Sequence, residues 1–403
     1  MTLTEPVRPA AIRPAEPWTG GRDLRPSIRG TSQTGVDWLL CFCAFALACI
    51  GAVLVWSSTK NQFGTNAYLV RHLVNMVIGI GLVIALAKVD RRLLRLLGPA
   101  LYVASCLGLV AVLLFGTTVN GAHAWIRFPA GVEVQPAEFA KLGLILGLAV
   151  LFGQRSIGRP VDASPRAGDI LSALGLALVP LGLIMLQPDL GSALVVGAAA
   201  FGVLLAAGVP ARWTVGLLVI GVLGAILAVK TGVLAEYQLA RFRAFTDPHS
   251  DTQGAAYNIT QARIAIAHGG LLGKGLFHGP QTQGGFVPEQ QTDFVFSAAG
   301  EELGFVGSLA IIGLYGVLLW RALRIAAGAD RIGRLVATGV VCWFAFQTFQ
   351  NIGMNLGMTP VTGLPLPFVS YGGSSMFAGA LAIGMLLVVR RGSDLFAPST
   401  LRR

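Results

Sequence analysis

Long apolar runs, each close to twenty residues, recur along this chain and decide what it can become. A run of that length crosses the ~30 Å hydrocarbon core of a bilayer as one helix. Backbone at that depth has no water to satisfy it, so it must be helix or closed barrel. Ten runs stand at roughly 37–57, 68–87, 93–115, 137–153, 168–186, 190–208, 213–230, 294–321, 333–356 and 372–390. Only 12% of the residues are charged, where soluble domains carry about 25%. The reading is an all-α polytopic membrane protein of about ten transmembrane helices, with a large extracytoplasmic loop between helices 7 and 8.

An even number of crossings places both termini on one side, and Lys and Arg mark the cytoplasmic one. Of the 30 Lys and Arg, 21 fall in the tails and loops of one side, eight on the other, and Lys141 within a span. Both termini are therefore expected in the cytoplasm. Residues 1–34 lack the apolar core of a signal peptide and read as a disordered cytoplasmic tail. Residues 35–392 read as the transmembrane domain, and 393–403 as a second cytoplasmic tail. The net charge of +11 is then an orientation signal and an attraction to anionic inner-leaflet lipid, with nothing that suggests nucleic acid. Cys41, Cys43, Cys49, Cys106 and Cys342 all lie in apolar runs and read as small core hydrophobes. Ten of the 19 acids fall on the outer side or in the outer parts of helices, so chemistry is expected to face outward.

The densest group of those acids runs from Pro288-Glu289-Gln290-Gln291-Thr292-Asp293-Phe294 to Gly300-Glu301-Glu302-Leu303-Gly304. A carboxylate in hydrocarbon costs a few kcal/mol or more and is rarely idle. Asp293 sits where the eighth span starts, so it is either a helix N-cap or a functional acid at the membrane mouth. With the 1.5 Å rise of a helix, Glu301 and Glu302 would lie about 12–14 Å further along. That is too far to act on the same group, and a pairing role inside the bundle is expected of one of them.

Three outer segments are too polar to be plain turns. The 116–136 loop holds His123, Trp125 and Arg127, and its tryptophan reads as a belt anchor or a site residue. The 231–292 loop exceeds ordinary connection length. Within it, 257–267 can form a short amphipathic helix on the membrane surface, and the glycines of 269–285 suit close backbone approach. Residues 359–375 contain Pro360, Pro365 and Pro367 and cannot continue a helix. Irregular backbone at this depth is tolerated when buried in protein or lining a wet cavity, and it reads as cavity wall. Pro136 opens the fourth span, with Glu138 and Lys141 three apart on one face. They are either a buried packing pair or a glutamate that orients a pyrophosphate held by the ammonium. Asp189, in Gln187-Pro188-Asp189-Leu190-Gly191, opens the sixth span and suits the helix dipole.

Together these segments resemble the SEDS family of polytopic cell-wall proteins, which includes RodA, FtsW and SpoVE. The resemblance rests on Gln135-Pro136-Ala137-Glu138-Phe139-Ala140-Lys141, on Gln187–Ala193 and on Gly269–Gly275. The 288–304 acids and Pro360–Ser375 are its most specific parts, and it spans roughly 35–392. The stretch Asn351-Ile352-Gly353-Met354-Asn355 and the Gly-rich loop before Glu289 look most like RodA. The resemblance implies a peptidoglycan glycosyltransferase that polymerises lipid II outside the plasma membrane, beside a class B penicillin-binding protein that crosslinks the strands. It places the essential aspartate on Asp293. The substrate-binding set it implies is Trp125, Arg127, Glu138, Lys141, Ser370 and Tyr371, with Asp189, Glu289, Glu301 and Glu302 in support. Ala124 stands where the family often has arginine, and Gln291 where it often has histidine; Arg127 is a candidate substitute.

The implied chemistry is an inverting transfer. A sugar 4-hydroxyl loses its proton to a carboxylate, attacks the anomeric carbon of the growing chain, and undecaprenyl pyrophosphate leaves. The leaving anion needs charge stabilisation, from Lys141, an arginine, or a bound divalent cation, Mg2+ or Mn2+. A lipid II flippase, an FtsW-like division member and a scaffold that only recruits the crosslinking partner are the rival readings. A flippase is expected to show paired broken helices and a midplane site, which this sequence does not.

Overall fold

The computed structural model describes residues 35–119, 121–128, 132–158, 164–231, 236–246 and 254–393. The tail readings for 1–34 and 393–403 lie outside them except at Ser393, which is the last residue of the final helix. The chain opens with α1 (Trp38–Phe63), α2 (Ala67–Ala87) and α3 (Arg91–Phe115), followed by strands β1 (Thr117–Val119), β2 (Ala122–Phe128) and β3 (Val132–Val134). Then come α4 (Pro136–Arg155), α5 (Ala167–Leu186), α6 (Leu190–Ala206), α7 (Ala211–Thr231), α8 (Glu236–Thr246), α9 (Ala255–Gly269) and α10 (Pro280–Gln283). The last four are α11 (Val295–Glu302), α12 (Gly304–Gly328), α13 (Arg331–Leu356) and α14 (Gly373–Ser393).

Among the described residues nine helices are long and apolar enough to cross a membrane, and α6, also apolar, has 17 residues, the lower end of the spanning range. The chain is a multi-pass membrane protein. Several helices start on an aspartate whose side chain accepts a backbone N–H: Asp37, Asp90, Asp189 and Asp330 each cap the helix that follows. Asp37 goes further. Its carboxylate also takes Arg321 of α12 at 2.7 Å and Arg390 of α14 at 2.6 Å, so one buried acid joins three helices at one end of the bundle.

α4 is the central post. It is the most buried span and touches α3, α5, α6, α13 and α14. Its glycines allow this: a Cβ at Gly143 would lie 2.6 Å from Ser105 Oγ, and one at Gly153 2.4 Å from Ile332. Small residues are what let helices approach closely in lipid. By contrast α7 has little buried surface in its span and carries exposed Leu, Val and Ile, the surface a bilayer covers.

Three features depart from the sequence reading. The 116–136 segment is a three-stranded antiparallel sheet in the order β1-β2-β3, with Arg127 opposite Glu133 in the β2–β3 register. The eighth span is not one helix over 294–321. It breaks between α11 and α12, so Glu301 and Glu302 end a short helix outside the crossing that starts at Gly304. The Gly-rich loop causes the break. Lys274 and Gly275 donate their N–H groups to the Glu301 and Glu302 carbonyls at 2.9 and 3.0 Å, while Phe305 and Val306 donate to Gly270 and Leu271 at 2.9 and 3.1 Å. The loop thus supplies the partners that the two helix ends lack. Gly304 has φ +69°, and a Cβ there would sit 2.2 Å from the Gly273 nitrogen, so the loop fits only against glycine. The helix expected over 257–267 exists as α9. Its Ala256, Ile259, Ala262 and Ala265 are buried against neighbours that include α11 and α13, so the stripe expected to meet lipid meets protein.

Candidate functional site

A cavity of about 1060 Å³ opens among α2, the sheet, the start of α6, α8 and the irregular segments 289–293 and 360–375. The expected cavity wall at 359–375 is therefore one of its sides. Its charged lining is mixed: Arg71, Arg127 and Arg241 face Glu133, Asp189, Glu289 and Asp293.

Asp293 is not a helix cap. α11 begins after Phe294 with no side-chain cap, and the Asp293 side chain is partly exposed in the cavity. Its backbone belongs to a tight turn. The Glu289 carbonyl accepts N–H bonds from Thr292, Asp293 and Phe294 at 3.2, 3.0 and 3.3 Å, with Glu289 in the left-handed region at φ +51°. A non-glycine residue there is strained, and such strain gathers at functional sites. The Thr292 hydroxyl lies 3.2 Å from Glu289 Oε2. Asp293 and Arg241 converge over Gly363: a Cβ built there would lie 3.4 Å from both Asp293 Oδ2 and Arg241 Nη1.

Burial lifts the Asp293 carboxyl from 3.8 to about 7, and the Glu289 carboxylate beside it pushes the same way. Arg241 and the Thr292 hydroxyl pull it back. A carboxylate poised there can take a proton at neutral pH and is neither permanently ionised nor permanently neutral.

The other predicted residues separate. Trp125, Arg127 and Tyr371 line the cavity. Arg127 pairs with Glu133 at 2.8 Å across the hairpin, both more than 40% exposed. Tyr371 packs edge-on to Tyr68 at 5.2 Å and donates its backbone N–H to the Gln291 carbonyl at 2.9 Å. Asp189 lines the cavity too, but its oxygens hold Ser192 and Gln135, as the helix-start reading implies. Glu138 and Lys141 do not reach it. They form a 2.7 Å pair at 1% and 0% exposure, with Lys141 donating to Gln347 at 3.1 Å and lying over the Trp343 ring. The ammonium expected at the outer rim is sealed between α4 and α13, and the packing alternative is the one realised. Ser370 is also turned away; its buried hydroxyl accepts the Leu366 N–H at 2.7 Å.

Glu301 and Glu302 are both buried and both engaged, where one was expected to pair. Glu301 accepts from the Gln281 and Thr282 backbone and the Thr282 hydroxyl at 2.7–2.9 Å. Glu302 accepts from Ser57 of α1, Phe277 and Gln283 at 2.5–3.1 Å. The two acids hold the 277–283 stretch of the loop that leads to Glu289. Among the described residues no three of His, Cys, Asp and Glu group as a metal centre. Glu289 and Asp293 are two carboxylates in one cavity, which suits an ion that arrives on phosphate oxygens and not a cage of protein ligands.

Arg71 and Arg241 were not singled out by sequence. Both counted only toward membrane orientation, and Arg241 reaches the site because α8 folds over Pro188, where Gln238 donates to the Pro188 carbonyl at 3.0 Å. A rare polar helix inside a long outer loop was the available signal.

The FtsW/RodA/SpoVE family model, described as a cell cycle protein, matches residues 37–394. The peptidoglycan glycosyltransferase MrdB of Escherichia coli K12 is 36% identical over 355 residues, covering 88% of this chain and 93% of that one. Stage V sporulation protein E of Bacillus subtilis is also 36% identical, over 369 residues, covering 90% and 98%. A chain from a solved peptidoglycan synthase complex that coordinates polymerization and crosslinking superposes with a TM-score of 0.75 at 36% identity, covering 89% of this chain and 98% of that one. With a match that runs from the first crossing through the last, the chain belongs to the FtsW/RodA/SpoVE family.

Proposed function

We propose that this chain is a peptidoglycan glycosyltransferase that polymerises lipid II at the outer face of the plasma membrane, with Asp293 as general base. The observation that carries the reading is the Asp293 carboxyl, bound to no helix end, held near neutrality, and facing Arg241 across a cavity large enough for a lipid-linked sugar. Asp293 accepts the proton of the 4-hydroxyl of the incoming lipid II sugar as that oxygen bonds to the anomeric carbon of the growing chain. The bond to undecaprenyl pyrophosphate breaks on the opposite face, so configuration inverts. Positioned general bases contribute about 10²–10⁴-fold.

Arg71, Arg127 and Arg241 line the same cavity and offset the charge that develops on the pyrophosphate. Lys141 is too deeply sealed for that part. A Mg2+ or Mn2+ ion carried on the pyrophosphate would add Lewis-acid neutralisation there, and Glu289 and Asp293, neighbours among the cavity's carboxylates, would be the side chains to hold it. The lining also includes Val70, Val74 and Ile78, four apart on one face of α2, and Leu190 and Leu194, four apart on α6. These apolar walls suit a polyprenyl tail that stays in the membrane.

The relatives' names and the solved synthase complex support pairing with a class B penicillin-binding protein that crosslinks the product. The Lys and Arg distribution supports cytoplasmic termini and an outward-facing site. Asn351-Ile352-Gly353-Met354-Asn355 and the Gly-rich loop support a RodA-type role in elongation and shape control. The test is polymerisation of purified lipid II in detergent by the chain with its cognate crosslinking enzyme, with and without divalent ions. Glycan chains from the wild type and none from Asp293→Asn are expected. Full polymerisation by Asp293→Asn, or lipid II movement across vesicles without glycan product, sinks the reading.

A further inference from the structure

Asp293 sits on irregular backbone, outside any helix or sheet ladder that would fix where its carboxyl points. Its N–H goes to the Glu289 carbonyl, which leaves its own carbonyl to be satisfied. Two side chains of α13 converge on that one oxygen. Asn351 Nδ2 donates to it at 2.8 Å and Asn355 Nδ2 at 3.2 Å. The two asparagines are four apart, hence stacked on one helix face, and each is 0% exposed.

Neither amide is a generic filler. The NH2 of Asn351 also donates to the Leu364 carbonyl at 2.7 Å, so one amide bridges the segment carrying Asp293 and the adjoining segment whose Gly363 and Pro365 line the cavity. Asn355 uses its other end as well: its Oδ1 accepts the Ser297 N–H at 3.0 Å, in the first turn of α11, sharing that donor with the Phe294 carbonyl at 2.9 Å. Fully buried amides on a rigid helix hold a group more closely than a loop can by itself. The demand is real, since a 1 Å misplacement of a reacting group can cost about a hundredfold in rate.

We propose that Asn351 and Asn355 are positioning residues, which hold the Asp293 main chain, and through it the carboxylate, in register with the 363–365 segment beside it. This rests on the reading of Asp293 as the base. It extends the part α13 plays in the site beyond Gln350, which lines the cavity, to two asparagines that do not. It also ties two chain segments to one side chain, so the Leu364 backbone and the turn at Asp293 keep a common reference.

The experiment is steady-state polymerisation of lipid II by the full chain with its crosslinking partner. It compares Asn351→Ala, Asn355→Ala, Asp293→Asn and the Asn351→Ala/Asp293→Asn double variant, each with its melting temperature. For Asn351→Ala, kcat is expected to fall about tenfold to a hundredfold, with the KM for lipid II held within about threefold. The low-pH limb of the kcat profile is expected to move, because the carboxyl leaves its present surroundings. Asn355→Ala, which gives up the longer bond, is expected to show the same pattern at smaller amplitude. In the double variant the asparagine change should remove nothing further from the residual rate, as for residues acting through one group.

Asn351→Ala and Asn355→Ala that both keep wild-type kcat and pH limb, beside a dead Asp293→Asn, overturn the positioning role alone. A loss confined to KM does the same. An active Asp293→Asn overturns the base reading and this inference with it. Where Asn351→Ala does not fold, Asn355→Ala is judged by the same kcat, KM and pH criteria.

Discussion

Replacing Asp293 with asparagine should make the protein more stable at pH 8 while it abolishes most of its activity. In the fold the Asp293 carboxyl protonates at about 7 in place of 3.8. A difference of about three pH units corresponds to about 4 kcal/mol between the protonation states. The sign follows from which form the fold prefers. Below 3.8 the acid is protonated in both folded and unfolded chain, and its ionisation has no effect. Between 3.8 and 7 the unfolded chain releases its proton and the folded one retains it, so stability drops as pH rises, and above 7 the whole cost is present. Asparagine removes that cost, less the part that solvent in the cavity already screens, leaving about 1–3 kcal/mol.

The assay is thermal unfolding in detergent at pH 5 and pH 8. Asp293→Asn is expected to melt several degrees higher than wild type at pH 8, and the advantage should shrink sharply at pH 5. In parallel, polymerisation by Asp293→Asn should fall by about 10²–10⁴-fold, and the wild-type rate should fall about tenfold from pH 8 to pH 6 as the base takes up its proton. A variant that is less stable than wild type at pH 8, or equally stabilised at both pH values, would refute the placement of this carboxyl. A wild-type rate flat from pH 8 to 6 would refute its use as the base.

The neighbours give opposite shifts. Glu289→Gln should move the acid limb of the rate profile to lower pH and Arg241→Gln to higher pH, since the first removes an anion and the second a cation beside Asp293; equal shifts of one sign would count against this geometry. Lys141→Met should lower stability by about 3–5 kcal/mol by leaving Glu138 charged and buried without its partner. Adding Glu138→Gln should recover much of that loss, and the check is thermal unfolding of the single and double variants. Gly304→Ala forces a side chain to within 2.2 Å of the Gly273 nitrogen at φ +69°. It should open the loop over α11 and α12, seen as faster proteolysis within 269–285.

The crossings were legible because unsatisfied backbone is costly in hydrocarbon, which makes each apolar run of about twenty residues a helix. The cavity wall was legible at Pro360, Pro365 and Pro367 for the same reason. The break at Leu303–Gly304 was hidden, because Val295–Glu302 and Gly304–Gly328 read as one apolar stretch, and what parts them is a loop thirty residues upstream. The separation of Trp125 and Arg127 from Lys141 was hidden as well. Depth along α4 depends on where α13 brings Gln347 and Trp343, not on the spacing of Glu138 and Lys141. Arg241 was invisible because α8 reaches Asp293 only once it has folded across Pro188. Asn351 and Asn355 were legible as a mark of kinship and not as parts of the site, since their shared target is one carbonyl oxygen fifty-eight residues and more away.

The acid that joins α1, α12 and α14 has a bearing on biogenesis. Asp37, at the start of α1, is synthesised before both of its arginine partners, Arg321 in α12 and Arg390 in α14. Until α14 is in place, the carboxylate has one of its two arginine counter-ions. A chain halted before α14 therefore leaves Asp37 with one arginine in place of two, at the end of the bundle that those three helices share.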